Sequence, residues 1–303
     1  MNLNIKAYPE QIMSKLEYGF KDIEIQLYHH LSDDDINIVV NAIQQGANVN
    51  VIHSSLIPMN SDAQTSVSLK KILAYEESLE YVEDTFKIAD ICAKLLNHPV
   101  GVLLHNGFSD SDTLYFSKPI KTVVQSIIKI YENYKENTYI LIENETVFLK
   151  DMNQNKSFRE KGTAISQNFV INLFKKYGVN DVFAVVDTCH LMMDNIYQNR
   201  MFQTDYKIDW DKTFKEMKDF KIPVGLIHLS KCEKDGLGKD HGLPFDENSQ
   251  KELCDILEAK HKYYPNAQIT LEVYEDDYYA KPFNYITEMT LVNSWYDKKS
   301  STN

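Results

Sequence analysis

Val182-Phe183-Ala184-Val185-Val186-Asp187 is a run of five apolar residues closed by one carboxylate, and Thr188-Cys189-His190 follows without a break. Consecutive rather than alternating apolar residues mark a strand covered on both faces, as parallel strands in α/β folds are. The same grammar recurs along the chain. Leu3 to Ala7, Asp22 to Leu27, Asn48 to His53, Gly101 to His105, Tyr139 to Glu143, Pro223 to Leu229 and Gln268 to Val273 bring the strand candidates to eight.

The segments between them carry apolar residues every three or four positions, the period of helices with one buried face. The clearest follows Ser117-Lys118-Pro119 and places Ile120, Val123, Val124, Ile127, Ile128 and Tyr131 on one side. Asp33 to Gln45, Val67 to Leu96, Ser166 to Tyr177, Trp210 to Phe220 and Asn248 to Tyr263 fit the same period. Eight alternations in 303 residues predict a closed (β/α)8 TIM barrel, with an open doubly wound sheet as the competing architecture. No Pro- or Ser-rich linker interrupts the pattern, so residues 1–296 are expected to form one barrel domain and 297–303 a short flexible tail.

Composition narrows the class. With 43% hydrophobic and 25% charged residues the chain reads as globular, and no apolar stretch approaches the roughly 20 residues of a membrane span. The N-terminus has no basic-then-apolar leader, and an intracellular location is expected. Cys92, Cys189, Cys232 and Cys254 form no Cys-x-x-Cys pair, which argues against a zinc finger or a disulfide framework. The 32 basic residues face 44 acidic ones, a net charge of −12 that disfavours nonspecific binding to a polyanion. Bound divalent cations would offset that locally.

Strands three to eight each deliver one metal-competent side chain at or near their C-terminal end: His53, His105, Glu143, Asp187, His228 and Glu272. In a parallel barrel those ends open on one face, so residues some 40 positions apart would converge there. Three imidazoles and three carboxylates suit zinc or manganese better than calcium or magnesium. Gathered without a cation they would carry a heavy desolvation and repulsion cost. His190, Asp240 and His241 lie close enough in sequence to join the set, and His29 and His30, after strand two, are further candidates for the mouth. Activity is expected to fall as pH drops through the histidine range, because ligand imidazoles must be neutral.

Taken in order, Ile52-His53, Leu104-His105, Ile142-Glu143-Asn144, Asp187-Thr188-Cys189-His190, His228-Leu229 and Leu271-Glu272 resemble the endonuclease IV family of apurinic/apyrimidinic endonucleases, in the xylose isomerase-like barrel superfamily. The resemblance spans roughly Val49 to Val273, and Asp-Thr-Cys-His is its most specific motif. It implies two or three zinc ions, with manganese as the substitute. Glu143 would bridge two of them, His53 and His105 completing the first site and Asp187, His228 and Glu272 the second. His190 and His241, with Asp240 standing in as the aspartate, would hold the third. Glu143 and Glu272 would be the catalytic carboxylates, the latter orienting the attacking water. The implied partner is damaged double-stranded DNA, cut 5′ to an abasic sugar, with no obligate protein partner and no membrane.

The chain departs from that pattern in several places. Lys239 stands where the third-site aspartate is expected, and His228-Leu229-Ser230-Lys231 replaces the family's His-Leu-Asn-Asp. The aromatic wedge after the first histidine gives way to Ser54-Ser55-Leu56-Ile57, where Leu56 and Ile57 would serve as apolar wedges. Lys150, Lys156, Arg159 and Lys161 after strand five, Arg200 after strand six, and Lys231, Lys234 and Lys239 after strand seven are candidate phosphate contacts, interleaved with acids. A rival reading needs fewer residues. Single-metal sugar isomerases and epimerases of the superfamily use Glu, Asp, His and Glu from strands five to eight, which Glu143, Asp187, His228 and Glu272 supply. That reading leaves His53 and His105 without a role.

Overall fold

A computed structural model describes residues 3–59, 63–66, 78–105, 119–144, 162–233 and 241–301. In chain order the elements are β1 (Leu3–Ala7), α1 (Ile12–Glu17), β2 (Asp22–Gln26), α2 (Asp33–Gln44), β3 (Asn48–His53), β4 (Leu56–Met59), β5 (Ala63–Ser66), α3 (Ser78–Leu96), β6 (Val100–His105), α4 (Pro119–Tyr131), β7 (Thr138–Glu143), α5 (Gly162–Lys176), β8 (Val182–Asp187), α6 (Thr188–Phe202), α7 (Trp210–Asp219), β9 (Val224–Leu229), α8 (Gln250–Tyr263), β10 (Gln268–Leu271) and α9 (Phe283–Ser300). Eight of the strands close into a barrel in the order β1-β10-β9-β8-β7-β6-β3-β2, which is the expected (β/α)8 architecture. The open doubly wound alternative falls with that closure.

The contacts divide the chain into two units, Lys6–Val185 and Met1–Ile5 with Val186–Asn303. In the first, β3, β6 and β7 run parallel with His53 opposite Leu103 and His105 opposite Glu143. That register sets His105 level with Glu143 and His53 two residues behind, while Val51, Ile52, Val102, Leu104, Ile140 and Ile142 are fully buried. At Gly101 side chains of the neighbouring strand β7 fill the space a Cβ would need. A Cβ there would stand 2.7 Å from Leu141 Cδ1 and 2.9 Å from the Tyr139 ring.

In the second unit β9 and β10 pair with His228 opposite Thr270, and β10 continues to β1 with Leu271 opposite Ile5. Helices α7 and α8 pack through Trp210, Phe214, Met217, Leu253, Ile256 and Leu257, all buried. The last helix runs on through Asp297–Ser300, four residues assigned to the tail by composition. Lys298 and Lys299 suit a helix C-terminus, and Lys299 pairs with Glu258 at 2.6 Å, which ties that final turn down.

Glu288 of α9 is fully buried, and its Oε2 accepts the Phe245 N–H at 3.3 Å. Burial lifts its carboxyl well above the usual range, against the weaker pull of the Phe245 N–H and of Lys231. A raised carboxyl keeps its stability below the unfolded value and loses it as pH rises through the folded one. Glu288→Gln is therefore expected to raise the melting temperature at pH 8 and leave it unchanged at pH 4. Each unit of the upward shift is worth about 1.4 kcal/mol at the higher pH.

Candidate metal centre

In the unit Lys6–Val185, three strand ends meet. His105 Nε2 lies 3.1 Å from His53 Nε2 and 3.1 Å from Glu143 Oε2, and His53 Nε2 lies 3.5 Å from that same oxygen. One donor atom from each of the three residues lies within 4.8 Å of the other two. The other ring nitrogen of His53, Nδ1, sits 3.2 Å from the Ser54 carbonyl. A neutral ring donating there presents its Nε2 lone pair to the cluster, the arrangement by which backbone carbonyls orient histidine ligands. Gln26 Nε2 donates to that carbonyl as well, at 2.5 Å, from a position opposite His53 in the β2–β3 register. His53 is fully buried, and burial, then the Lys6 ammonium, lower its pKa to about 4 although Glu143 pulls the other way. An imidazole held neutral is the form that binds a metal.

In the unit Val186–Asn303, Asp187, His228 and Glu272 form a second set, with one donor atom each inside 4.8 Å. His228 Nδ1 is 2.6 Å from Glu272 Oε2 and 4.0 Å from Asp187 Oδ2. Asp187 has two duties. Its Oδ1 accepts the His190 N–H at 2.8 Å, capping α6, which points Oδ2 toward His228. Glu272 lies one residue past β10, whose ladder ends at Leu271 rather than at Val273, and is held by its N–H to the Leu229 carbonyl at 3.2 Å.

Thr188 fixes this end of the strand pair. Its hydroxyl contacts the carbonyls of His228 and Ser230 at 3.2 and 2.6 Å and accepts the Ser230 N–H at 3.2 Å, all buried. Thr188→Val keeps the shape and removes every one of these bonds. We expect a loss of about 2–4 kcal/mol in urea unfolding, because the partners stay buried without replacement, together with weaker metal retention through His228.

The third expected set is described in part. His190 is buried with its Nδ1 3.7 Å from Asp187 Oδ2, and its ring lies 5.4 Å from that of His241. Asp240 and Lys239 lie outside the described residues, as do Lys150, Lys156, Arg159, Lys161 and Lys234. Leu56 and Ile57 open the β4–β5 hairpin, pairing antiparallel with Ser66 and Thr65, and their side chains lie outside the described residues.

One placement is corrected. Arg200 is not on a loop after β8. It occupies the last turn of α6, a helix that starts directly at Thr188 because Asp187 caps it. Lys231 lies 3.2 and 3.5 Å from Glu233 and Asp246. His30 stacks on Tyr81 and pairs with Asp84 at 3.0 Å, while His29 lies 3.8 Å from Asp35; both are engaged with helices α2 and α3. Sequence reading missed Gln26, although a polar residue ending an apolar strand is the signal that found His53. It also missed the Tyr8–Tyr28 stack, rings 3.7 Å apart just beyond β1 and β2, for which strand patterning carries no sign.

No protein-family model matches the chain, and no curated protein matches it in sequence. Solved structures match it in fold. A xylose isomerase domain protein from Planctomyces limnophilus aligns over 99% of this chain and 98% of its own, with a TM-score of 0.60 and 9% identity. A D-psicose 3-epimerase aligns over 96% and 90%, with a TM-score of 0.55 and 15% identity. An AP endonuclease of family 2 from Brucella melitensis aligns over 91% and 95%, with a TM-score of 0.52 and 10% identity. These likenesses are to (β/α)8 barrels and bear on the fold alone.

Proposed function

We propose that this protein is a multinuclear metal-dependent phosphodiesterase of the endonuclease IV type, acting at abasic sites in double-stranded DNA. The observation that carries the reading is the triad His53, His105 and Glu143, with its two Nε2 atoms and one carboxylate oxygen within 3.5 Å of each other. Histidine and carboxylate donors fit zinc, or manganese in its place. Ions held there would lower the pKa of water and stabilise the charge that develops on a leaving phosphodiester oxygen. The protein's own share is to keep His53 neutral, to fix its tautomer through Ser54, and to aim Asp187 by the α6 cap. Glu272, as a carboxylate, would orient the attacking water and take its proton, with the His228 ring 2.6 Å away as its partner.

Two observations favour a second reading. Lys231 is turned onto Glu233 and Asp246, and the chain carries a net charge of −12, both better suited to a small neutral sugar than to a polyanion. The deciding experiment is elemental mass spectrometry of purified protein together with incision of a duplex oligonucleotide containing one abasic site. Two or three zinc or manganese ions per chain and a cut 5′ to the lesion are expected. One ion per chain and an intact duplex would overturn the nuclease reading in favour of a sugar isomerase or epimerase, with Glu143 and Glu272 moving the proton.

A further inference from the structure

Helix α5 turns one face inward, with Gln167, Val170, Ile171 and Phe174 at helical spacing and all fully buried. Gln167 is the polar member of these four. Its Nε2 donates to the Ile142 carbonyl at 2.5 Å and to the Val185 carbonyl at 2.8 Å, so both amide hydrogens are engaged with main chain. One carbonyl belongs to β7 and the other to β8, at the end of the ladder where Glu143 stands opposite Val185.

Satisfying those carbonyls does not explain the residue. Val185 already accepts the Asn144 N–H, at a stretched 3.4 Å. Gln167 Oε1, for its part, is buried with no hydrogen bond among the described residues. A methionine of similar length would fill the place with no unpaired oxygen. What the glutamine adds is direction. The Ile142 carbonyl and the Glu143 N–H belong to one planar peptide unit, so a donor bound to that oxygen sets the tilt of the plane. The tilt in turn sets the line along which the Glu143 side chain leaves the strand. A second glutamine is used in the same way beside His53. Gln26, also buried, donates through Nε2 to the Leu27 carbonyl at 3.0 Å and to that of Ser54. In both cases a buried amide bonds two carbonyls, one of them a single residue from a donor of the triad.

We propose that Gln167 is a positioning residue of the metal centre, holding the Glu143 carboxylate at the His53 and His105 Nε2 atoms through its two bonds to Ile142 and Val185. The proposal rests on the reading of His53, His105 and Glu143 as metal ligands. It adds to that reading a helix residue which touches no donor atom and yet sets how tightly the ion is held. Groups that orient metal ligands are commonly worth ten- to a hundredfold in affinity, about what two directed hydrogen bonds behind a carboxylate should give.

The test uses full-length protein stripped by chelator and titrated with cobalt(II), whose visible bands report the geometry around the ion. The ion of the triad is the one absent from His105→Ala. Gln167→Met is expected to bind that ion at least about tenfold more weakly than the wild type and to shift its bands. Phe174→Leu lies on the same buried face, two helical turns on, and disturbs the packing of α5 without removing the amide. It should keep wild-type affinity and bands even where its melting temperature falls as far. Gln167→Asn, whose amide is one methylene too short to span both carbonyls, carries the same expectation as Gln167→Met should the latter not fold. Wild-type affinity and bands in either folded Gln167 variant would overturn the proposal and leave the metal reading standing. Equal losses in Phe174→Leu would overturn it too, as the mark of packing alone. Wild-type protein that takes up no cobalt would overturn the metal reading and the proposal with it.

Discussion

His105→Ala is expected to remove one metal ion per chain and to lower incision of an abasic duplex by at least about a hundredfold, some 2.7 kcal/mol of transition-state stabilisation. His105 contributes one of the two Nε2 atoms that face Glu143, and alanine leaves His53 and Glu143 as the only donors of that set. Two protein ligands hold zinc poorly, since the ion takes three or four. The fold should tolerate the change. His105 ends β6 and is only partly buried, so its loss opens no cavity in the core. The same variant discriminates between the readings. A single-ion sugar enzyme built on Glu143, Asp187, His228 and Glu272 has no ligand role for His105, and its turnover should stay within a few-fold of wild type. Metal content and incision measured on one preparation separate these results, whereas Glu143→Gln would abolish activity under both.

Much of this was legible in the chain because one physical rule governs both fold and site. A strand buried on both faces must be apolar throughout, so a polar residue at its end stands out against Val and Ile. His53, His105 and Asp187 end their strands as expected, and His228 lies one residue short of the end of β9. Distances were not legible. That His105 and Glu143 meet depends on the β6–β7 register, which hydrogen bonds and side-chain packing decide and apolar spacing does not. The start of α6 was missed because the helix is nearly uniform around its circumference, mixing Met, Asn, Asp and Tyr without an apolar stripe. Its cap, Asp187, had been read only as a ligand. Arg200 was misplaced for the same reason.

Metal-free protein is expected to lose about 3 kcal/mol of stability through His53 alone as pH falls from 6.5 to 4. In the unfolded chain this ring takes up a proton near pH 6.5. In the folded chain burial and the Lys6 charge postpone protonation to about pH 4. Above 6.5 the ring is neutral in both states and stability is intact. Between the two values only the unfolded state binds the proton, so every unit of acidification favours unfolding, until the whole contribution is gone below about 4. Urea unfolding in chelator from pH 8 to pH 4 should show this slope, and His53→Gln, which has no ring to protonate, should flatten it. Equal slopes for the two proteins would rule the effect out. The result also revises the pH at which metal is lost. A ligand that refuses its proton down to about pH 4 does not compete with zinc at pH 5.5, where an exposed histidine would. Zinc retention by dialysed protein should therefore persist below the ordinary histidine range. Activity that fades between pH 7 and 6 must then be traced to a group other than His53.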